Sequence, residues 1–247
     1  MRIFQLTRYL LFTLLALAIV VMGAQLWHKR VWLAQQFPDT KVVPEHKDPR
    51  QYPNSMAQIQ QSKKNWRAQK IPARQLSGSF TQMFRDDILA YWYGTAWGFY
   101  GTSETPQSGT IACGYFVTTT LRDMGVPLNR SALAQKPSEA MIRALVQPAY
   151  IQNLSKQTSW ELNSVFLSKG TGVYIIGLDT HTGFILVDET GAHFIHSSGA
   201  FPYRVIKEPV AQSSILAQSK YRVAGQLTAD PQFMQRWLNF QTNPTTP

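Results

Sequence analysis

Apolar residues fall into two kinds of pattern along the chain. From Ser79 to Tyr91, Phe80, Met83, Phe84, Ile88 and Leu89 recur at helical spacing, which predicts a helix with one apolar face and Ser79 as its N-cap. A helix with a narrower stripe (Met56, Ile59, Lys63, Trp66) is expected over 55–69 and ends at Ile71-Pro72. Further helices are expected at 138–146, 159–167 and 211–218, with a terminal one capped by Asp230-Pro231. Between 173 and 199 the pattern changes to three strand-like runs, GVYIIGLD, HTGFILVDE and AHFIHSS. The first is almost continuously apolar and suits a central strand buried on both faces. Arg204–Lys207 reads as an edge strand and Tyr221–Leu227 as a last strand. Helices first and an antiparallel sheet afterwards is an α+β order.

One stretch, 91–124, fits neither pattern at its start. Gly94, Gly98, Gly101 and Gly109 exclude a regular helix there, because each glycine costs about 1 kcal/mol in a helix interior. Beyond Cys113 the residues Tyr115, Phe116, Thr119 and Leu121–Met124 read as a helix stopped by Gly125 and Pro127. Cys113 is therefore expected where a loop turns into a helix. There the unpaired N–H groups and the positive end of the helix dipole favour a thiolate.

Cys113 is the one cysteine of 247 residues, so the chain forms no internal disulfide. A lone cysteine is usually a small buried apolar residue. Two strand-borne histidines downstream, His181 and His196, change the balance, since nucleophile, base and orienter then occur in one chain order. His181 within reach of Cys113 would supply a thiolate–imidazolium pair, and His196 would fix the His181 tautomer. His193 lies on the opposite face of the strand from His196 and is expected to face solvent. His28 and His46 fall outside this region. No metal-ligand spacing occurs, and neither a metal nor another cofactor is expected. The N–H of Cys113 is the natural oxyanion donor. Trp92, Tyr93, Trp97, Phe99 and Tyr100 are candidates to line a cleft, with Tyr93, Trp97 and Tyr100 assigned to substrate.

These segments resemble a known family. GTAWGFYGTSETPQSGTIACGYFV is similar to the active-site segment of the NlpC-like papain-fold cysteine peptidases, in which a Gly-rich loop leads into an Asp-Cys-Ser-Gly helix start. HTGFILVDETGAHFIHSSG resembles the family's His-x-Gly strand and the following strand that carries a third, polar triad residue. The resemblance implies a papain-like domain with Cys113 as nucleophile, His181 as base and His196 as orienter. It also implies an amide bond in peptidoglycan stem peptides as the substrate. Ala112 stands where the family usually has Asp, Gly114 where it has Ser, and Trp97 where a Tyr often lines the site. These departures keep two alternatives open: an amidase or acyl transferase for another substrate, and a catalytically silent wall-binding module.

Charge and the first residues complete the picture. Lys and Arg number 24 against 14 Asp and Glu, for a net charge of +10, which favours an anionic neighbourhood. No nucleic-acid motif accompanies the excess, so nucleic acid is not expected as a partner. Residues 9–27 are uncharged and mostly apolar, and a helix rising about 1.5 Å per residue would just cross a bilayer core. A retained anchor is favoured over a cleaved signal peptide, because Met22 occupies a position where cleavage prefers a small residue. The resemblance, rather than the flanking charges, puts the catalytic domain outside the cytoplasm. The expected organisation is an anchor with flanks (1–30), a Pro-rich tether and polar helix (31–78), the hydrolase domain (79–241) and a tail (242–247).

Overall fold

The computed structural model describes residues 43–241. The expected membrane anchor, the first part of the tether and the tail lie outside the described residues. Among the described residues no helix is long and apolar enough to cross a membrane.

The architecture is α+β. Its helices are α1 (Tyr52–Ala68), α2 (Ser77–Met83), α3 (Ala90–Trp92), α4 (Cys113–Asp123), α5 (Arg130–Ala134), α6 (Ser138–Leu145), α7 (Ser159–Ser168), α8 (Ser214–Gln218) and α9 (Pro231–Asn239). A short parallel pair, β1 (Ala96–Trp97) and β2 (Thr110–Ile111), brackets the Gly-rich loop. The main sheet is antiparallel, with spatial order β3-β8-β4-β5-β6-β7. Its strands are β3 (Ile151–Asn153), β4 (Gly172–Leu178), β5 (Thr182–Asp188), β6 (Gly191–Ser197), β7 (Val205–Pro209) and β8 (Arg222–Gln226). Every residue of β4 is buried, as its nearly unbroken apolar run requires of a central strand; β5 is buried throughout as well, its polar ends Thr182 and Asp188 included. β7 is an edge, as its short mixed sequence predicts. The opposite edge, β3, was not anticipated.

Helices cover both sheet faces. On one, Phe184, Leu186 and Ile195 join Phe116, Val117 and Leu121 of α4 in the larger core. On the other, Ile185, Val187 and Phe194 pack with Leu162 and Phe166 of α7 and Leu216 of α8. α1 belongs to the larger core: Tyr52 and Ile59 are buried in it, although its sequence reads as a polar helix ahead of the hydrolase domain. It begins at Tyr52 with Pro53 in its first turn, where a missing N–H costs nothing. Buried Lys63 is satisfied by donating to the Gly125 carbonyl at 2.9 Å.

Two local expectations are corrected. α2 starts at Ser77, not after Ser79, and no side chain caps it. It runs through a π-helical turn, Phe84–Leu89, into α3, so burial of Phe80, Phe84 and Ile88 decides its course rather than a cap. His193 lies on the face opposite His196 but is partly buried, with Nδ1 inaccessible to solvent. α4 packs on the sheet face opposite the one that bears His196. That ring stacks on Phe194 at a 4.0 Å centroid distance, on the face shared with α7 and α8, while Cys113 and His181 line one cleft.

Candidate active site

Cys113 is the first residue of α4, and Ala112 before it is extended (φ −80°, ψ 159°). Two bonds fix that entry: Ala112 N–H donates to Gly101 O at 2.8 Å, and Ser197 Oγ donates to Ile111 O at 2.7 Å. The second ties the end of β6, one residue past His196, to the strand that delivers Cys113. Gly114 follows because α5 crosses there: a Cβ would lie 2.3 Å from Ala134 O. The serine usual in the resembling family would therefore clash with backbone.

His181 sits at the turn between β4 and β5, where Leu178 N–H donates to His181 O at 2.8 Å. Its Nε2 is 2.8 Å from His196 Nδ1, with the rings 84° apart. Between them lies Gly183, where a Cβ would come within 2.7 Å of the His196 Cβ and of the Phe194 ring. The His-x-Gly pattern thus has a steric reason here: glycine lets the second histidine reach the first.

Cys113 and His181 both line a cleft of about 310 Å³. Trp97, Phe99 and Ala112 form part of its wall, and Thr180, Gly199, Ala200 and Ile215 the rest. Among the assigned substrate residues, only Trp97 lines the cleft. Tyr93 is buried in the larger core, as is Trp92, whose Nε1 donates to Tyr52 OH. Tyr100 is 88% exposed and rests edge-on against Phe99 outside the cleft. A Gly-rich loop offers no period from which to read which aromatic points inward.

The electrostatics depart from the expected thiolate–imidazolium pair. Burial pushes the Cys113 thiol up, although backbone N–H groups of Thr182, Gly114 and Cys113 itself act the other way. Burial, with the neighbouring His196, pushes the His181 imidazole down to about 3. Both partners are therefore neutral at rest. The helix start supplies donors but does not outweigh desolvation of a charge in a closed site.

One functional group went unnoticed in the sequence. Glu208 on β7 is 2% exposed, and its Oε1 is 3.4 Å from Nε2 of fully buried His196. Ser213 Oγ donates to the same carboxylate oxygen. The available signal was the alternation in Val205–Pro209, which puts Glu208 on the face of Ile206. Among the described residues, no group of three or more His, Cys, Asp or Glu is arranged to hold a metal ion.

The sequence matches no protein-family model, no curated protein and no solved structure at a significant level.

Proposed function

We propose that the chain is a membrane-anchored cysteine hydrolase with an NlpC-type, papain-like domain. It cleaves an amide bond in peptidoglycan stem peptides outside the cytoplasm. What carries the reading is the 2.8 Å contact between His181 Nε2 and His196 Nδ1, beside a cleft that Cys113 and His181 both line. An oriented imidazole next to a thiol at a helix start is the arrangement that acyl transfer needs.

In this reading, His181 Nδ1 takes the thiol proton as Cys113 Sγ attacks the carbonyl carbon and the C–S bond forms. Proton transfer accompanies attack because neither partner is charged at rest. The oxyanion is met by the Cys113 N–H, which has no intrahelical acceptor at the first helical position. As the C–N bond breaks, His181 returns the proton to the leaving amine. Water then attacks the thioester, giving one proton to His181; the C–S bond breaks and that proton restores the thiol.

The test is digestion of purified sacculi by the full chain, with Cys113→Ser as control and mass analysis of products. Release of stem-peptide fragments by the wild type alone is the expected result. Intact sacculi alongside a Cys113 that is alkylated His181-dependently would remove peptidoglycan as substrate. The anchor is tested separately: the full chain should resist carbonate extraction from membranes.

A second reading has its own observation. Phe99, Tyr100, Phe201 and Tyr203 are all more than half exposed, and Phe99 reaches the cleft. Such an apolar rim suits an acyl chain, which favours a lipid amidase or acyl transferase using the same three residues.

A further inference from the structure

We infer that Glu208 is a positioning residue for the candidate nucleophile, holding His196 as its Nε2–H tautomer and, through it, leaving His181 able to accept the thiol proton. The inference rests on Cys113 and His181 acting as proposed above, but not on any substrate.

A proton count carries it. For His181 Nδ1 to take a proton from Cys113 it must bear a lone pair, so neutral His181 carries its hydrogen on Nε2. That hydrogen points at His196 Nδ1, 2.8 Å away, which must then be the acceptor. His196 consequently carries its own hydrogen on Nε2. The group beyond Nε2 is the Glu208 carboxylate, with Oε1 at 3.4 Å. That distance is longer than a well-formed N–H···O bond, so the carboxylate acts on the neutral ring mainly through charge–dipole attraction to its Nε2–H. All donors run one way: Sγ–H to His181, His181 Nε2–H to His196, His196 Nε2–H towards Glu208. Were His196 to carry its hydrogen on Nδ1 instead, it would donate to His181 Nε2. The His181 hydrogen would then move to Nδ1 and block the thiol.

The fold places Glu208 for this. In the β6–β7 ladder Glu208 is opposite Phe194 and Ile206 opposite His196, so carboxylate and imidazole are diagonal neighbours on one face. Ser213 holds the carboxylate by its Oγ while accepting from Leu216 N–H as the cap of α8. α8 also carries Ile215, which lines the cleft. A carboxylate is an acceptor only, so unlike an amide or a hydroxyl it cannot turn round and donate to Nε2. When His181 takes the proton in a buried site, positive charge appears on the imidazole pair, and the buried carboxylate offsets it.

Two measurements on the full chain test this. Nitrogen-15 correlation spectra of the imidazoles report the tautomer directly in the wild type, and His196 should carry its proton on Nε2; an Nδ1–H pattern overturns the proposal. Alkylation of Cys113 by iodoacetamide, followed from pH 6 to 10, gives the second readout. Glu208→Gln, whose amide can donate, should slow alkylation at pH 7 about tenfold or more. The rates should converge towards pH 10, where hydroxide ionises the thiol without help. Glu208→Asp should recover part of the loss. A folded Glu208→Gln protein that matches the wild type at every pH overturns the proposal, as does an equal loss at pH 7 and pH 10, which marks a packing defect. Intact sacculi with these results unchanged would defeat the peptidoglycan reading alone.

Discussion

Gly183 and His196 are packed so closely that a Cβ on the first would sit 2.7 Å from the Cβ of the second. The same absent atom would press on Phe194 and on the Ile195 carbonyl. Nothing around Gly183 can give way cheaply, since Gly183 is paired with Ile176 of β4 and His196 with Ile206 of β7. Gly183→Ala should therefore destabilise the fold by about 1–3 kcal/mol and displace the His196 ring. A melting shift together with reduced Cys113 alkylation at pH 7 is expected; unchanged alkylation would mean that His196 need not sit where it does.

The second prediction ranks the site residues. His181 both removes and returns the proton, so His181→Ala should come within about tenfold of Cys113→Ser in lost turnover, whereas His196→Ala should be about 10²-fold milder. His196→Asn or Gln should be milder still, because an amide oxygen accepts from His181 Nε2–H while its NH₂ faces Glu208. His193→Ala should be nearly silent. Steady-state rates on one amide substrate, with melts for folding, decide it. His193→Ala as harmful as His181→Ala would show that the wrong face of β6 has been assigned to the site.

Gly114 gives a prediction about packing rather than chemistry. Serine there should not improve the site, because its Cβ meets Ala134 O at 2.3 Å. Gly114→Ser should cost about 1–3 kcal/mol, read as a lower melting temperature. A neutral result would require α5 to slide away from α4.

His181 links stability to pH. Its imidazole titrates near 6.5 when unfolded and is pushed down to about 3 by burial and His196. The unfolded chain thus binds a proton that the folded chain refuses, and stability falls as pH falls from about 6.5 towards 3. The limiting slope is about 1.4 kcal/mol per pH unit. Depressed carboxyls such as Asp188 and Asp230 lose their contribution in the acid range below their ordinary value. Denaturant melts between pH 4.5 and 6.5 should therefore show a shallower slope for His181→Asn than for the wild type. Identical slopes would place the titrating group elsewhere.

Lys63 gives the opposite end of the scale. Burial lowers its ammonium to about 7, with Arg67 adding to the effect. Between pH 7 and its ordinary 10.5 the unfolded amine is protonated and the folded one is not, so stability rises with pH. Lys63→Met should flatten the rise between pH 7.5 and 9.5, below the range where tyrosines ionise. A rise that survives the substitution would rule Lys63 out as its source.

Periodicity alone determined a good deal of this protein. Burial of β4 on both faces, the α+β order and the placing of His193 and His196 on opposite faces of β6 were legible from it. Those features depend on local spacing: a period of two or of 3.6 residues states which side chains share a face. What depends on contacts between distant segments was not legible. Tyr93 entered the core while Trp97 lined the cleft, because β1 pairs with β2 and Ala96 bridges to Arg204. α1 joined the main core because Tyr52 OH reaches Asp123 and Lys63 reaches Gly125, across separations that no local pattern encodes. The charge state of the site was settled by enclosure: a helix dipole is visible in sequence, but the desolvation that outweighs it exists only once the surrounding layers have closed. Glu208 belongs to the same class, an ordinary edge-strand carboxylate until β6, β7 and α8 bring His196 and Ser213 against it.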